Sequence, residues 1–308
     1  MTEQYGAATA NLPVIDISPM SGGSAQAKVA MAATLRDACE HSGFFYVSGH
    51  GIEPALIEQV FRASKQFFEL PMADKLAVDK AQSKANRGYE PLRGQTLEAG
   101  APPDLKEGFY IGEEVAADDP RALSRFNTGP NQWPQSVSAF RPAMEQYYAA
   151  MTELSARIMA ALALSLNLPE DFFADFCESP LCTLRLLHYL PMPEEDLDES
   201  LWRAGAHTDF DCLTMVFQKE GQGGLQVSPG KDAEGAGDNR EWSSVIPRDD
   251  IITCNIGDML MRWSDDQLKS TLHRVRMPKP GEYRGPRYSM AFFCQANKEV
   301  MIETPAGK

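Results

Sequence analysis

The sequence predicts a mixed α+β fold in which helices pack around an antiparallel β core of the jelly-roll kind. Three observations carry that prediction. Apolar residues recur at helical spacing up to about residue 167, short β runs separated by turns take over from residue 181, and no Ser/Pro-rich linker divides the two parts. The chain therefore reads as an α-rich region over 1–180 fused to a β core over 181–308, forming one structural unit. Its 308 residues, 43% of them apolar, suffice for a sizeable buried core. Only the first ten residues and a Gly-rich stretch at 230–239 have the composition of unstructured chain.

LPVIDIS (12–18) alternates apolar and polar residues, as a short strand does. After the turn-forming SGGS, residues 25–42 carry apolar positions at helical spacing and stop at Gly43. GFFYVSGHGI (43–52) is a buried strand running into a Gly-flanked turn; His50, in that turn, has no ligand partner at short spacing and is expected to be structural. Glu53 to Leu70 forms a second amphipathic helix, closed by Pro71. Residues 85–112 are loop-like, with strand texture only in KEGFYIG. Loops of this length usually carry function, which makes Arg87, Tyr89 and Arg93 candidate substrate contacts. NQWP introduces the longest helical pattern, about 135–167, whose stripe Met144, Tyr148, Met151, Leu154 and Ile158 is core. Beyond residue 181 the runs LCTLRLLHYL, DCLTMVFQ, GGLQV, WSSVIP, IITCNIGDML, HRVRM and RYSMAFFCQ supply the antiparallel sheets.

Charge and composition narrow the function classes. A formal charge of −14 without any Lys/Arg run argues against a nucleic-acid partner. The start MTEQYGAATANLP is polar, unlike a signal peptide, and no apolar run approaches the roughly 20 residues that a membrane span needs. The six cysteines contain no C-x-x-C pair and sit mostly in apolar runs, as reduced core thiols of a cytoplasmic protein do. The expectation is a cytoplasmic protein, monomeric by default, acting on a small molecule.

The chemistry-bearing stretch is GAHTDFDCL (205–213). Two residues apart on a strand, His207 and Asp209 point to the same face. Asp211 falls on that face too and is expected to be a polar strand-edge residue. H-x-D alone is weak evidence, but the β half holds one further histidine downstream, His273, at the start of HRVRM. Strands distant in sequence lie side by side in a double-sheet barrel. Two imidazoles and one carboxylate on one face of an iron leave three adjacent positions open, the arrangement of non-haem Fe(II) oxygenases. Fourteen residues on, Arg287 and Ser289 share a strand face, a fork suited to a carboxylate. Tyr189 is a third candidate donor and shares its face with Arg185, a further candidate substrate contact, whereas His188 points away and is expected to be structural.

On these residues the sequence resembles the isopenicillin N synthase-like family of Fe(II)/2-oxoglutarate-dependent dioxygenases. The match covers nearly the whole chain. LPVIDIS and GFFYVSGHGI resemble the family's N-terminal region and DLKEGFYIG its middle. HTDFDCLT, GGLQV, NIGDML, LHRV and RYSMAFF resemble its core, in the family's order. The resemblance implies a double-stranded β-helix (jelly-roll, cupin-like) core, with His207, Asp209 and His273 as iron ligands. Arg287 and Ser289 would take the distal carboxylate of 2-oxoglutarate, with Tyr189 assisting. It implies oxidation of a small organic substrate (hydroxylation, desaturation or cyclisation) using Fe(II), 2-oxoglutarate and O₂, with ascorbate as a stimulant. The family's namesake oxidises its substrate without 2-oxoglutarate and keeps the R-x-S pair, so Arg287 and Ser289 do not separate the two chemistries. Breakdown of 2-oxoglutarate to ethylene has no positive signal. A non-catalytic cupin-like binder of metal or small carboxylates is the reading from another class; loss of a ligand would be its mark, and all three are present.

Overall fold

The strands TLRLLHY and RYSMAFFC are buried along nearly their whole length and have no wet face; the fold gives each of their faces its own core. The computed structural model describes residues 8–97, 102–124, 127–193, 201–228 and 241–305. The Gly-rich stretch at 230–239 and residues 1–7 of the N-terminal tail lie outside them. The strands are β1 (Val14–Asp16), β2 (Phe44–Ser48), β3 (Gly88–Glu90), β4 (Glu107–Ile111), β5 (Thr183–Tyr189), β6 (Trp202–His207), β7 (Leu213–Gln218), β8 (Leu225–Val227), β9 (Ser243–Ser244), β10 (Ile252–Ile256), β11 (His273–Arg276) and β12 (Arg287–Cys294). They form an eight-stranded sheet in the order β1-β2-β10-β7-β12-β5-β4-β3 and a four-stranded sheet in the order β6-β11-β8-β9. Every pairing is antiparallel except β1 with β2. The two sheets face each other as the halves of a jelly roll.

Strand alternation assigns the two faces of the large sheet. On one face Phe45, Val47, Leu184, Leu186, Met290 and Phe292 join the larger core with the helices; on the other Phe44, Tyr46, Leu187, Tyr189 and Ala291 meet Ala204, Leu225 and Val275 of the small sheet. The larger core is closed by helices α1 (Ala25–His41), α2 (Pro54–Phe68) and α5 (Phe140–Ser165). Ser24 caps α1 by accepting from the Ala27 amide. The chain leaves that helix through Gly43 at φ +66, where a Cβ would also fall 1.9 Å from the Lys269 carbonyl oxygen. Pro54 opens α2, whose Leu56, Val60, Phe61, Phe67 and Phe68 are buried. Short helices α3 (Met72–Leu76), α4 (Pro120–Ser124) and α6 (Asp258–Trp263) complete the element order. Among the described residues no helix is long and apolar enough to cross a membrane.

Four expectations need correction. Residues 88–90, read as loop, form β3 paired with β4. The longest helix begins at Phe140 rather than near 135, with residues 135–139 in turns ahead of it. IITCNIGDML is not one β run: its strand ends at Ile256 and the chain turns through Gly257 into α6. Nor is GAHTDFDCL a continuous strand, since β6 stops at His207 and residues 208–212 form a bend before β7.

Candidate active site

His207 and His273 are direct antiparallel partners across β6 and β11, which sets both imidazoles on the same side of the small sheet. An irregularity in register follows between His273 and Val275, a local bend of the kind that re-aims side chains at a sheet rim. Asp209 reaches the pair from the bend beyond β6, so its position is set by tertiary contacts rather than by strand alternation. Asp258 N–H donates to the Asp209 carbonyl at 2.7 Å, Gly257 N–H donates to the Cys212 carbonyl at 3.1 Å, and Thr208 Oγ1 donates to Asp258 at 3.0 Å. Gly257 is required for this docking: a Cβ there would lie 2.1 Å from the Asp211 carbonyl oxygen.

The three side chains bring one ligand atom each within 4.8 Å of the others, and no other His/Cys/Asp/Glu trio among the described residues does so. Asp209 lies 3.7 Å from Nε2 of His207 through one oxygen and 3.7 Å from Nε2 of His273 through the other. One ion about 2 Å from each donor spans such gaps. His207 Nδ1 contacts the Gly205 carbonyl at 2.8 Å and His273 Nδ1 the Thr271 carbonyl at 3.1 Å. A carbonyl only accepts, so each Nδ1 carries a hydrogen, which leaves each Nε2 as the ring atom available to a metal at the cluster. Burial and the adjacent His273 push His207 well below the usual imidazole range, keeping it neutral. Burial alone would raise Asp209. The positive charge that an adjoining imidazole carries whenever it is protonated, together with hydrogen bonds from Thr214 (2.6 Å) and Asn255 (2.8 Å), outweighs it and lowers the carboxyl below its ordinary value. Two imidazoles and a carboxylate, with further positions open, fit a divalent iron of the non-haem oxygenase type.

Asp211 departs from its expected strand-edge role. It is 2% exposed in the bend, and burial with the Asp209 charge beside it raises its carboxyl far above the carboxylate range. Thr214 Oγ1 lies between the two acids, 2.6 Å from Asp209 and 3.0 Å from Asp211. One hydroxyl hydrogen cannot serve both; the protonated Asp211 supplies the second.

The cluster lines a cavity of about 80 Å³ between the sheets, shared with Arg287, Ser289 and Tyr189. Arg287 is 2% exposed and makes no ion pair with any described residue. Its Nη2 donates to Gln218 at 2.8 Å, its Nε to the Gln222 carbonyl at 3.0 Å and its Nη1 to Ser289 Oγ at 3.5 Å, and its guanidinium carbon lies 4.7 Å from the Tyr189 ring centre. A buried guanidinium without a carboxylate partner is expensive unless a ligand supplies one.

The expected substrate contacts separate. Arg185 lines this cavity and a wider outer one of about 490 Å³, which His207 and Asp209 also border, and Arg87 lines the outer one. Tyr89 lines neither. It is fully buried, edge-on to Phe67, and donates to Glu107 at 2.5 Å, so its role as a substrate contact is withdrawn. Arg93, exposed at a turn with φ +63, does not line them either. His188 contacts Glu107 at 2.7 Å through Nδ1 and stacks on Tyr288, and His50 accepts from the Ile52 amide; both serve structure. Missed from sequence were Asn255 and Thr214, which hold Asp209, and Gln218, which holds Arg287. A polar residue inside a short run framed by isoleucines, as Asn255 is in ITCNI, was the available signal.

A jelly roll with a 2-His-1-carboxylate cluster facing a buried, unpaired arginine defines a class: oxygen-using non-haem iron enzymes. Comparisons with known proteins agree. Residues 12–136 match the model of the non-haem dioxygenase N-terminal region named for morphine synthesis, and residues 180–296 that of the 2OG-Fe(II) oxygenase superfamily. The chain is 42% identical over 292 residues to a 2-oxoglutarate-Fe(II) type oxidoreductase of Emericella nidulans (93% of this chain, 80% of the relative). It is 33% identical to a homoarginine-6-hydroxylase of Arabidopsis thaliana (95% and 87%). Among solved structures, a full-length Neurospora crassa protein in complex with alpha-KG and thymine superposes with a TM-score of 0.80 at 32% identity (96% and 89% covered). The chain belongs to the Fe(II)/2-oxoglutarate-dependent dioxygenase family, and is an oxidoreductase that uses Fe(II), 2-oxoglutarate and O₂.

Proposed function

We propose that His207, Asp209 and His273 bind the iron, that Arg287 and Ser289, with Tyr189, bind the distal carboxylate of 2-oxoglutarate, and that a small organic molecule is oxidised from the outer cavity. The observation that carries the assignment is the convergence of two Nε2 atoms and a carboxylate beside an arginine that lacks an acid partner among the described residues. Bound iron supplies the coupling of 2-oxoglutarate decarboxylation to oxygen activation and C–H oxidation. The chain's own residues do the rest. The carbonyls of Gly205 and Thr271 fix the two imidazole tautomers. Thr214 and Asn255 hold one Asp209 oxygen and keep the carboxylate in place. Leu187, Leu225, Val275 and Ala291 exclude water from the inner cavity, strengthening every charge interaction inside it. Free cysteines, nearly all of them buried, favour action in the reducing cytoplasm. The test is succinate formation from 2-oxoglutarate in air with Fe(II). The wild-type protein is expected to form it and His207→Ala to fall to background while keeping its circular dichroism spectrum; wild-type levels in the folded variant would overturn the ligand assignment.

A further inference from the structure

We infer that the primary substrate carries a carboxylate, held at the mouth of the site by Arg87 with Arg185 and Lys80 beside it; this rests on the iron and 2-oxoglutarate assignment of the inner cavity.

Arg87 is 4% exposed and lines the outer cavity. Its Nη2 donates to the Asn127 carbonyl at 2.8 Å and its Nε is buried without a partner. No described carboxylate pairs with it. The nearby acids are engaged elsewhere: Glu113 takes Arg121 at 2.8 Å, and Glu114 takes Trp133 Nε1 at 3.0 Å and Asn131 at 3.1 Å. The backbone makes room for the guanidinium, because a Cβ on Gly112 would fall 1.9 Å from Nη2. A cradle that keeps a cation buried and leaves it unpaired is a ligand site in waiting.

The surroundings carry the same sign. Arg185 and Lys80 line the cavity too, and they share one acid, Glu90, at 2.7 Å each. Of the cavity's own acids, Asp209 is committed to the metal and Asp211 is engaged by Thr214 at 3.0 Å. Three cations therefore answer to the single carboxylate of Glu90, in a chain whose formal charge is −14. Local charge opposed to the global sign focuses anions into a low-dielectric cleft. Glu90 stands among these cations and opposes a dianion, which favours a monocarboxylate over a phosphate. Phe210, 84% exposed, and Phe293 offer apolar surface for the rest of the molecule.

The test uses the full chain with Fe(II) and 2-oxoglutarate and a panel of monocarboxylic acids of increasing ring and chain size (benzoate, cyclohexanecarboxylate, hexanoate), each beside its primary amide. The visible band of the anaerobic iron–2-oxoglutarate complex is recorded first; its absence refutes the underlying assignment, not the carboxylate inference. With the band present, acids are expected to stimulate succinate formation with apparent KM at least tenfold below their amides. Arg87→Gln should raise KM for the acids at least tenfold and leave the band and KM for 2-oxoglutarate unchanged, with Arg87→Lys recovering part of the loss. Equal responses to acid and amide, or an Arg87→Gln variant that keeps the band and the wild-type KM for acids, would overturn the inference.

Discussion

Arg287 shows at the level of one residue how burial becomes recognition. Its guanidinium is fixed by Gln218, the Gln222 carbonyl and Ser289, none of which bears a charge. Arg287→Gln should therefore weaken 2-oxoglutarate binding selectively. Losing two hydrogen bonds to a charged group, at about 1.5–3 kcal/mol each, corresponds to a rise in Kd of about 10²–10⁴-fold. Titration of 2-oxoglutarate into the anaerobic iron-loaded variant checks this, with iron affinity itself expected to hold. The residue pattern H-x-D, distal His and R-x-S was legible in sequence because each member must stay chemically what it is. Tyr89 was misjudged for a physical reason: a phenol in a loop-like run reads as polar, yet its ring packs on Phe67 and its hydroxyl is spent on Glu107.

At the level of elements, the bend after β6 explains why the strand argument for Asp209 reached the right neighbours by the wrong route. Alternation placed His207 and Asp209 on one face. The structure instead ends the strand at His207 and docks the bend on the Gly257–Asp258 turn. Turn-to-turn docking leaves no periodicity, so no pattern in GAHTDFDCL announced it. The central strands were legible for the opposite reason: two cores make them apolar on both faces. Gly257→Ala is the variant that isolates the docking. Its Cβ meets the Asp211 backbone and Oδ1 at 2.1 and 2.4 Å. We expect about 1–3 kcal/mol of destabilisation from overpacking and a roughly 10–100-fold loss of iron affinity as Asp209 shifts, measured by denaturant unfolding and by anaerobic iron titration.

Across the whole molecule, the helices close one side of the large sheet and leave the other side to enclose the site. Glu107 ties these layers together. It sits on β4, 3% exposed, and accepts from Lys75 of α3 at 2.9 Å and Tyr89 of β3 at 2.5 Å, with His188 of β5 at 2.7 Å. Burial alone would raise its carboxyl, but His188, Tyr89 and Lys75 together hold it below the ordinary range. A depressed folded pKa means stability that is present above the unfolded value of about 4.3 and is lost as pH falls through the folded value. Glu107→Gln should cost about 3–5 kcal/mol at pH 7, because it strands the Lys75 charge. The gap to wild type should narrow as pH falls below about 4, and urea unfolding of the metal-free protein at each pH measures it. Nothing in KEGFYIG revealed this network, because a buried ion cluster and a solvated turn use the same letters.

One measurement bears on the central claim most directly: anaerobic addition of Fe(II) and then 2-oxoglutarate, followed in the visible spectrum. The structure's donor set calls for one iron per chain and a metal-to-ligand charge-transfer band that grows with 2-oxoglutarate, disappears in His273→Ala, and needs far more 2-oxoglutarate in Arg287→Gln. An unchanged band in His273→Ala, or none in the wild-type protein at saturating iron and 2-oxoglutarate, would contradict it.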